Sequence, residues 1–92
     1  MEGPIPNLSQ LGEAIREERQ EKTDLTIEEF ALEAGMEYSY LSDIERKGRN
    51  FTWRKLAWIA EVLKVDVSQL IFRAEEIARR QQAKPDDDRP KS

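Results

Sequence analysis

Five bases and no acid fall within Arg46 to Lys55: Arg46, Lys47, Arg49, Arg54 and Lys55. Lysine brings a point charge and arginine a planar fork of donors, and both suit phosphate oxygens. Asn50, inside the run, adds an amide. Just upstream stand Tyr38, Ser39, Ser42 and Asp43. Hydroxyls there can donate to or accept from base edges, an aspartate can accept from a cytosine amino group, and a tyrosine can reach a phosphate or a thymine methyl. The blander reading is a solvated helix face with Tyr38 packed locally and the bases paired to nearby acids. Acids are scarce in this stretch, which favours phosphate. Arg46 is open to two roles, guanine edge or phosphate.

Catalysis has little to work with. There is no histidine and no cysteine, so the commonest general base, the commonest metal ligand and any disulfide are missing. Glu17/Glu18, Glu28/Glu29 and Glu75/Glu76 are sequence neighbours, and on a helix such neighbours diverge. No phosphate loop or metal signature is present. No enzyme, cofactor or metal is expected.

The net charge of −4 over 92 residues would argue against a polyanion, but the charge is unevenly spread. Residues 1–37 hold ten acids and three bases, residues 38–55 two acids and five bases, and residues 56–92 seven of each. A local positive face is what nucleic acid needs. No apolar run approaches a membrane span and no secretory leader is evident, so a cytoplasmic protein without a membrane partner is expected.

These groups must be held by helices. Leu8, Leu11, Ile15 and Arg19 share one face of a first helix ending near Lys22, and a charge on that stripe wants a buried partner. Thr26 and Glu29 form a capping box for a second helix, with Leu25 and Phe30 as its staple. Ala31 must be small where another helix crosses, and Gly35 ends the helix. A third spans about Tyr38 to Arg46, anchored by Leu41 and Ile44. Thr52 caps a fourth, with Trp53, Leu56, Ile59, Ala60 and Leu63 facing inward. Asp66 opens a fifth, whose stripe of Leu70, Ile71, Ala74, Ile77 and Ala78 reaches about Gln82. No strand alternation is visible, and the fold is expected to be all-α. Residues 26–46 read as two short helices about a tight turn, with bases just downstream: a helix-turn-helix, whose second helix lies in the major groove.

The segments LGEAIREER, TIEEFALEAG, YLSDIERKGRN and LAWIAEVLKVDVSQLI occur in order from about Leu11 to Ile71. Together they resemble the phage-repressor and Cro type of helix-turn-helix domain, the XRE family, including its small restriction–modification controller proteins. The resemblance implies a five-helix domain that binds operator DNA, usually as a homodimer. It matches Arg19 and Glu45 to a buried ion pair, and Tyr38, Ser39, Ser42, Asp43 and Arg46 to base-reading positions. The chain departs from the pattern at Ile27, where a phosphate-binding glutamine is common, at Glu37, where Ser or Thr usually caps, and at Phe51, often proline. One residue is also inserted in the Thr23/Asp24 loop.

The resulting expectation is a flexible start (1–6), a helix-turn-helix domain (7–72), a helical extension (73–83) and a disordered tail (84–92). Base readout falls to Tyr38, Ser39, Ser42, Asp43 and Arg46, and phosphate to Lys47, Arg49, Asn50, Arg54 and Lys55. Trp53 is assigned to the core. Trp58, Leu70, Ile71, Ala74 and Ile77 are assigned to a dimer interface, with Leu70 also closing the core. The reading leaves open whether the long fifth helix dimerises the chain or contacts RNA polymerase. The expected function is a transcriptional regulator acting as a homodimer on a two-fold site in double-stranded DNA. With no sensor domain, it would respond mainly to its own concentration. The alternative is a protein-interaction module or antitoxin that keeps the fold with weak or no DNA binding; the acidic balance, Glu37, Asp43 and Ile27 favour it.

Overall fold

The computed structural model describes residues 5–83. The expected disordered tail, and the expected flexible start up to residue 4, lie outside them. Five helices follow one another among the described residues: α1 Leu8–Lys22, α2 Ile27–Ala34, α3 Tyr38–Lys47, α4 Trp53–Leu63 and α5 Val67–Ala83.

The starts of α1, α2 and α4 have a local cause. Asn7 accepts from the Gln10 backbone N–H at 2.8 Å, and the Gln10 side chain accepts from the Asn7 N–H at 3.0 Å. This second capping box satisfies backbone donors that have no helical partner. Thr26 and Glu29 make the reciprocal pair at α2, and Thr52 accepts from the Lys55 N–H at α4. Glu37, before α3, makes no side-chain cap.

The main core joins Ile15 of α1, Phe30 and Ala31 of α2, Leu41 and Ile44 of α3, Leu56, Ile59, Ala60 and Leu63 of α4, and Leu70 of α5. α1 crosses α3 closely because Gly12 has no side chain: a Cβ there would overlap the Ile44 carbonyl oxygen. At the end of the same crossing, a Cβ on Gly48 would meet the Leu8 and Ser9 backbone. The start of the basic run is thereby pressed against the first turn of α1.

A second cluster, Ala14, Ala74 and Ile77, with Leu11 packed against it, joins α1 to α5. This corrects the interface expectation. Leu70, Ala74 and Ile77 are fully buried within their own chain: Leu70 closes the main core, while Ala74 and Ile77 pack on α1, where Ala14 is small enough to admit them. Only Ile71 of those four α5 positions keeps partial exposure.

A polar clasp flanks that seam. Arg73 donates to Glu18 at 2.6 Å, to Glu17 at 3.0 Å and to Glu21 at 2.7 Å. Glu18 is fully buried and also accepts from Lys22 and Gln69. Farther along, Gln81 accepts from Gln10 and donates to Glu13. Burial alone would push the Glu18 carboxyl up, but hydrogen bonds from Lys22, Gln69 and Arg73, with the Arg73 charge, hold it below its ordinary 4.5. Hydrogen bonding and charge from Arg73 lower Glu21 as well, and Arg73 is raised in return, chiefly by Glu21.

A carboxyl depressed in the folded state contributes stability above its unfolded pKa and loses it as pH falls through the folded one. Urea unfolding from pH 7 to pH 3 is therefore expected to show stability holding to about pH 5, then declining through the carboxylate range. In Arg73→Met the neutral-pH stability should be lower and this acid-side decline smaller. An unchanged slope would remove the clasp from the energetics of the fold.

Candidate nucleic-acid interface

The turn between α2 and α3 is closed by backbone bonds. Gly35 lies in the left-handed region at φ 67°. Its N–H donates to the Leu32 carbonyl at 3.2 Å, and the Met36 N–H donates to that of Ala31 at 3.0 Å. That pair of bonds is a Schellman closure, for which glycine is favoured because it carries no Cβ. Met36 and Glu37 complete the connection, and α3 leaves at a set angle.

α3 is sided. Leu41, Ser42, Ile44 and Glu45 are buried, while Tyr38, Ser39, Arg46 and Lys47 are exposed. Ser42 therefore departs from expectation. The buried arc is wide enough to include this small side chain, which is only 6% exposed and does not lie on the open face with Tyr38 and Ser39. Asp43 lies at the edge of that arc, 3.8 Å from Lys47 and 3.5 Å from Arg49. The acid scarcity read from the sequence thus has an exception: one carboxylate serves two of the proposed phosphate binders.

The structure brings Arg49 and Lys55 to the same end, over Tyr40. Arg49, Asn50, Arg54 and Lys55 are exposed. The Arg49 guanidinium lies 4.8 Å from the centre of the Tyr40 ring, and the Lys55 ammonium 5.4 Å from it. Both distances suit a cation–π contact. Arg46 borders a shallow depression with Ser9, Glu13, Arg16 and Glu45, where α3 meets α1. Sequence reasoning missed Tyr40; the available signal was an aromatic two residues after Tyr38, beside a run of bases.

The tryptophans also redistribute. Trp53 is not core but 69% exposed. It is the first residue of α4, beyond the edge of the Leu56/Ile59/Leu63 contact, and Phe51 packs against the core in its place. It stands instead among Arg49, Arg54 and Lys55 in the basic segment. Trp58 donates its indole N–H to the Ala34 carbonyl at 2.8 Å, tying α4 to the end of α2. It still leaves 44% of its surface open.

Beneath this surface, Arg19 and Glu45 form a two-pronged pair: Nε to Oε2 at 2.9 Å and Nη2 to Oε1 at 2.8 Å. Arg19 Nη1 also donates to the Leu25 carbonyl at 3.0 Å. The pair ties α1 to α3 and to the entry of α2. Among the described residues no cluster of three or more carboxylates is arranged to hold a metal ion, and no helix is long and apolar enough to cross a membrane.

A short helix, a glycine turn closed by backbone bonds, and a second helix with one buried face and one open, basic edge define a helix-turn-helix protein. The chain belongs to the XRE-type helix-turn-helix family, whose model matches residues 15–70. Its class is that of DNA-binding transcription regulators. Among solved structures it is similar to the clp gene regulator ClgR from Corynebacterium glutamicum: 30% identity over 90% of this chain and 88% of that one, TM-score 0.80. A second ClgR structure shares 29% identity over 82% and 96%, with TM-score 0.73. The restriction-modification controller protein C.AhdI from Aeromonas hydrophila shares 30% identity over 68% of this chain and 94% of that one, TM-score 0.63. No curated protein matches.

Proposed function

We propose that the chain is a sequence-specific transcription regulator that binds a two-fold operator as a homodimer, with α3 in the major groove. The observation that carries this reading is the exposed end of α3 and its continuation: Tyr38, Ser39, Arg46 and Lys47, then Arg49, Asn50, Arg54 and Lys55. Base readout falls to Tyr38, Ser39 and Arg46. Phosphate contact falls to Lys47, Arg49, Asn50, Arg54 and Lys55, with exposed Trp53 beside them. The likeness to a clp gene regulator and to a restriction-modification controller protein supports the regulatory role.

The homodimer reading moves to the side chains left open. Trp58 and Phe72 are each about half exposed, at 44% and 52%, and Ile71 is partly exposed. Aromatic residues are enriched at such interfaces. A dimer through α4 and α5 would set its two α3 helices about one DNA turn, ~34 Å, apart.

Retention on duplex DNA or heparin at low salt tests the reading. The wild type should be retained, and the Arg46→Ala/Arg49→Ala variant should elute earlier. Its log affinity should also fall less steeply with log salt, by a slope of about 1 to 2 if one or two phosphate contacts are lost. The protein-interaction reading is favoured by Leu32, 82% exposed, between Glu28, Glu29 and Glu33 on α2. A folded wild type that passes through both columns would support it.

A further inference from the structure

We infer that Tyr40 and Asp43 are positioning residues that hold the Arg49 side chain, and with it Lys47 and Lys55, ready for the DNA backbone. The inference rests on the DNA-binding reading and gives Asp43 a role other than base contact.

Arg49 follows the end of α3, so no helix restrains its backbone. Its long side chain would otherwise sample many rotamers, and fixing it on binding would cost entropy. Two groups of α3 restrain it in advance. The Tyr40 ring lies beneath the guanidinium at 4.8 Å, and the Asp43 carboxylate stands 3.5 Å from Nη1. Tyr40 is half-buried and packs against the core, so its ring is a fixed platform. The same ring carries Lys55 from α4 at 5.4 Å, and the same carboxylate lies 3.8 Å from Lys47. Two α3 side chains thus gather three cations from α3, the following loop and α4.

A carboxylate beside phosphate is ordinarily a repulsion. Here its distances to Lys47 and Arg49 are those of weak, partly exposed pairs, which contribute little to stability. Their effect is geometric. Weak pairs can be exchanged for phosphate, while the ring contact persists. The arrangement separates two quantities a simple charge sum would join: general attraction to DNA, and the ordered placement of cations that a particular site requires.

The test compares wild type, Tyr40→Leu, Tyr40→Phe and Asp43→Asn on two probes, a duplex selected from a random pool and its scrambled counterpart. Tyr40→Leu should weaken binding to the selected duplex about fivefold, the loss expected when a long side chain must be immobilised on binding rather than beforehand. Tyr40→Phe keeps the ring face and should restore most of the affinity. Asp43→Asn should bind the scrambled duplex as tightly as wild type or tighter, yet lose about two- to fivefold on the selected one, where the cations must then be ordered during binding. Without DNA, the Arg49 Nε–Hε proton should carry a ring-current shift that disappears in Tyr40→Leu. The inference is overturned if Tyr40→Leu binds as wild type, if the Arg49 shift survives it, or if Asp43→Asn tightens both duplexes equally. If wild type binds neither duplex, the DNA-binding reading falls and takes the inference with it.

Discussion

Arg19→Met should melt about 15–30 °C below the wild type. Its guanidinium makes two bonds to Glu45 and one to the Leu25 carbonyl, and Glu45 is 3% exposed. Methionine can fill much of the volume but leaves that carboxylate buried without its cation, at a cost of ~3–5 kcal/mol. A domain of this size has only about 5–14 kcal/mol of stability, and each kcal/mol moves its melting point by about 4–8 °C. Arg19→Lys should recover little, because an ammonium cannot span both carboxylate oxygens and the carbonyl. The double variant Arg19→Met/Glu45→Leu should recover most of the loss, since no charge is then stranded. Thermal unfolding of the four proteins decides the matter. A single variant melting within a few degrees of wild type, or a double variant no better than the single, would show that the pair is not what ties α1 to α3.

Gly12→Ala is expected to be the most damaging exchange of one small residue for another. In an open helix this change would stabilise by about 1 kcal/mol. Here the new methyl would overlap the Ile44 carbonyl oxygen, part of a backbone that cannot rotate aside. Overpacking costs ~1–3 kcal/mol and occasionally more. α1 must then move off α3 just where Glu45 follows Ile44, so the Arg19 bonds lengthen too. A net loss of ~2 kcal/mol in urea unfolding is predicted, and a greater one for Gly12→Val. Stability equal to or above the wild type would mean that the crossing can widen freely.

Helix starts were legible because they depend on neighbours: Thr26 with Glu29, and Thr52 ahead of α4, are local chemistry. The Asn7/Gln10 box was equally local but has an amide in place of the usual hydroxyl and carboxylate. What the sequence hid was which partner each face meets. Ala74 and Ile77 looked unpartnered because their partners, Leu11 and Ala14, lie about sixty residues away. Trp53 has core spacing from Leu56, yet stands at the first turn of α4 with nothing to cover it. Ser42 and Asp43 were grouped with Tyr38 and Ser39 by polarity, but the width of the buried arc on α3, which polarity does not report, separates them. Arg19 could be singled out because a charge on an apolar stripe calls for a counter-charge wherever it lies in the chain.

The proposed reading of DNA sequence by the open face of α3 is open to direct experiment. Its most direct test is selection of bound sites from a random duplex pool, followed by titration of the winner at two salt concentrations. The expected result is a two-fold motif with half-sites one helical turn apart, bound far more tightly than bulk DNA and with affinity falling steeply as salt rises. No enriched motif at either salt, from protein shown to be folded, would contradict it.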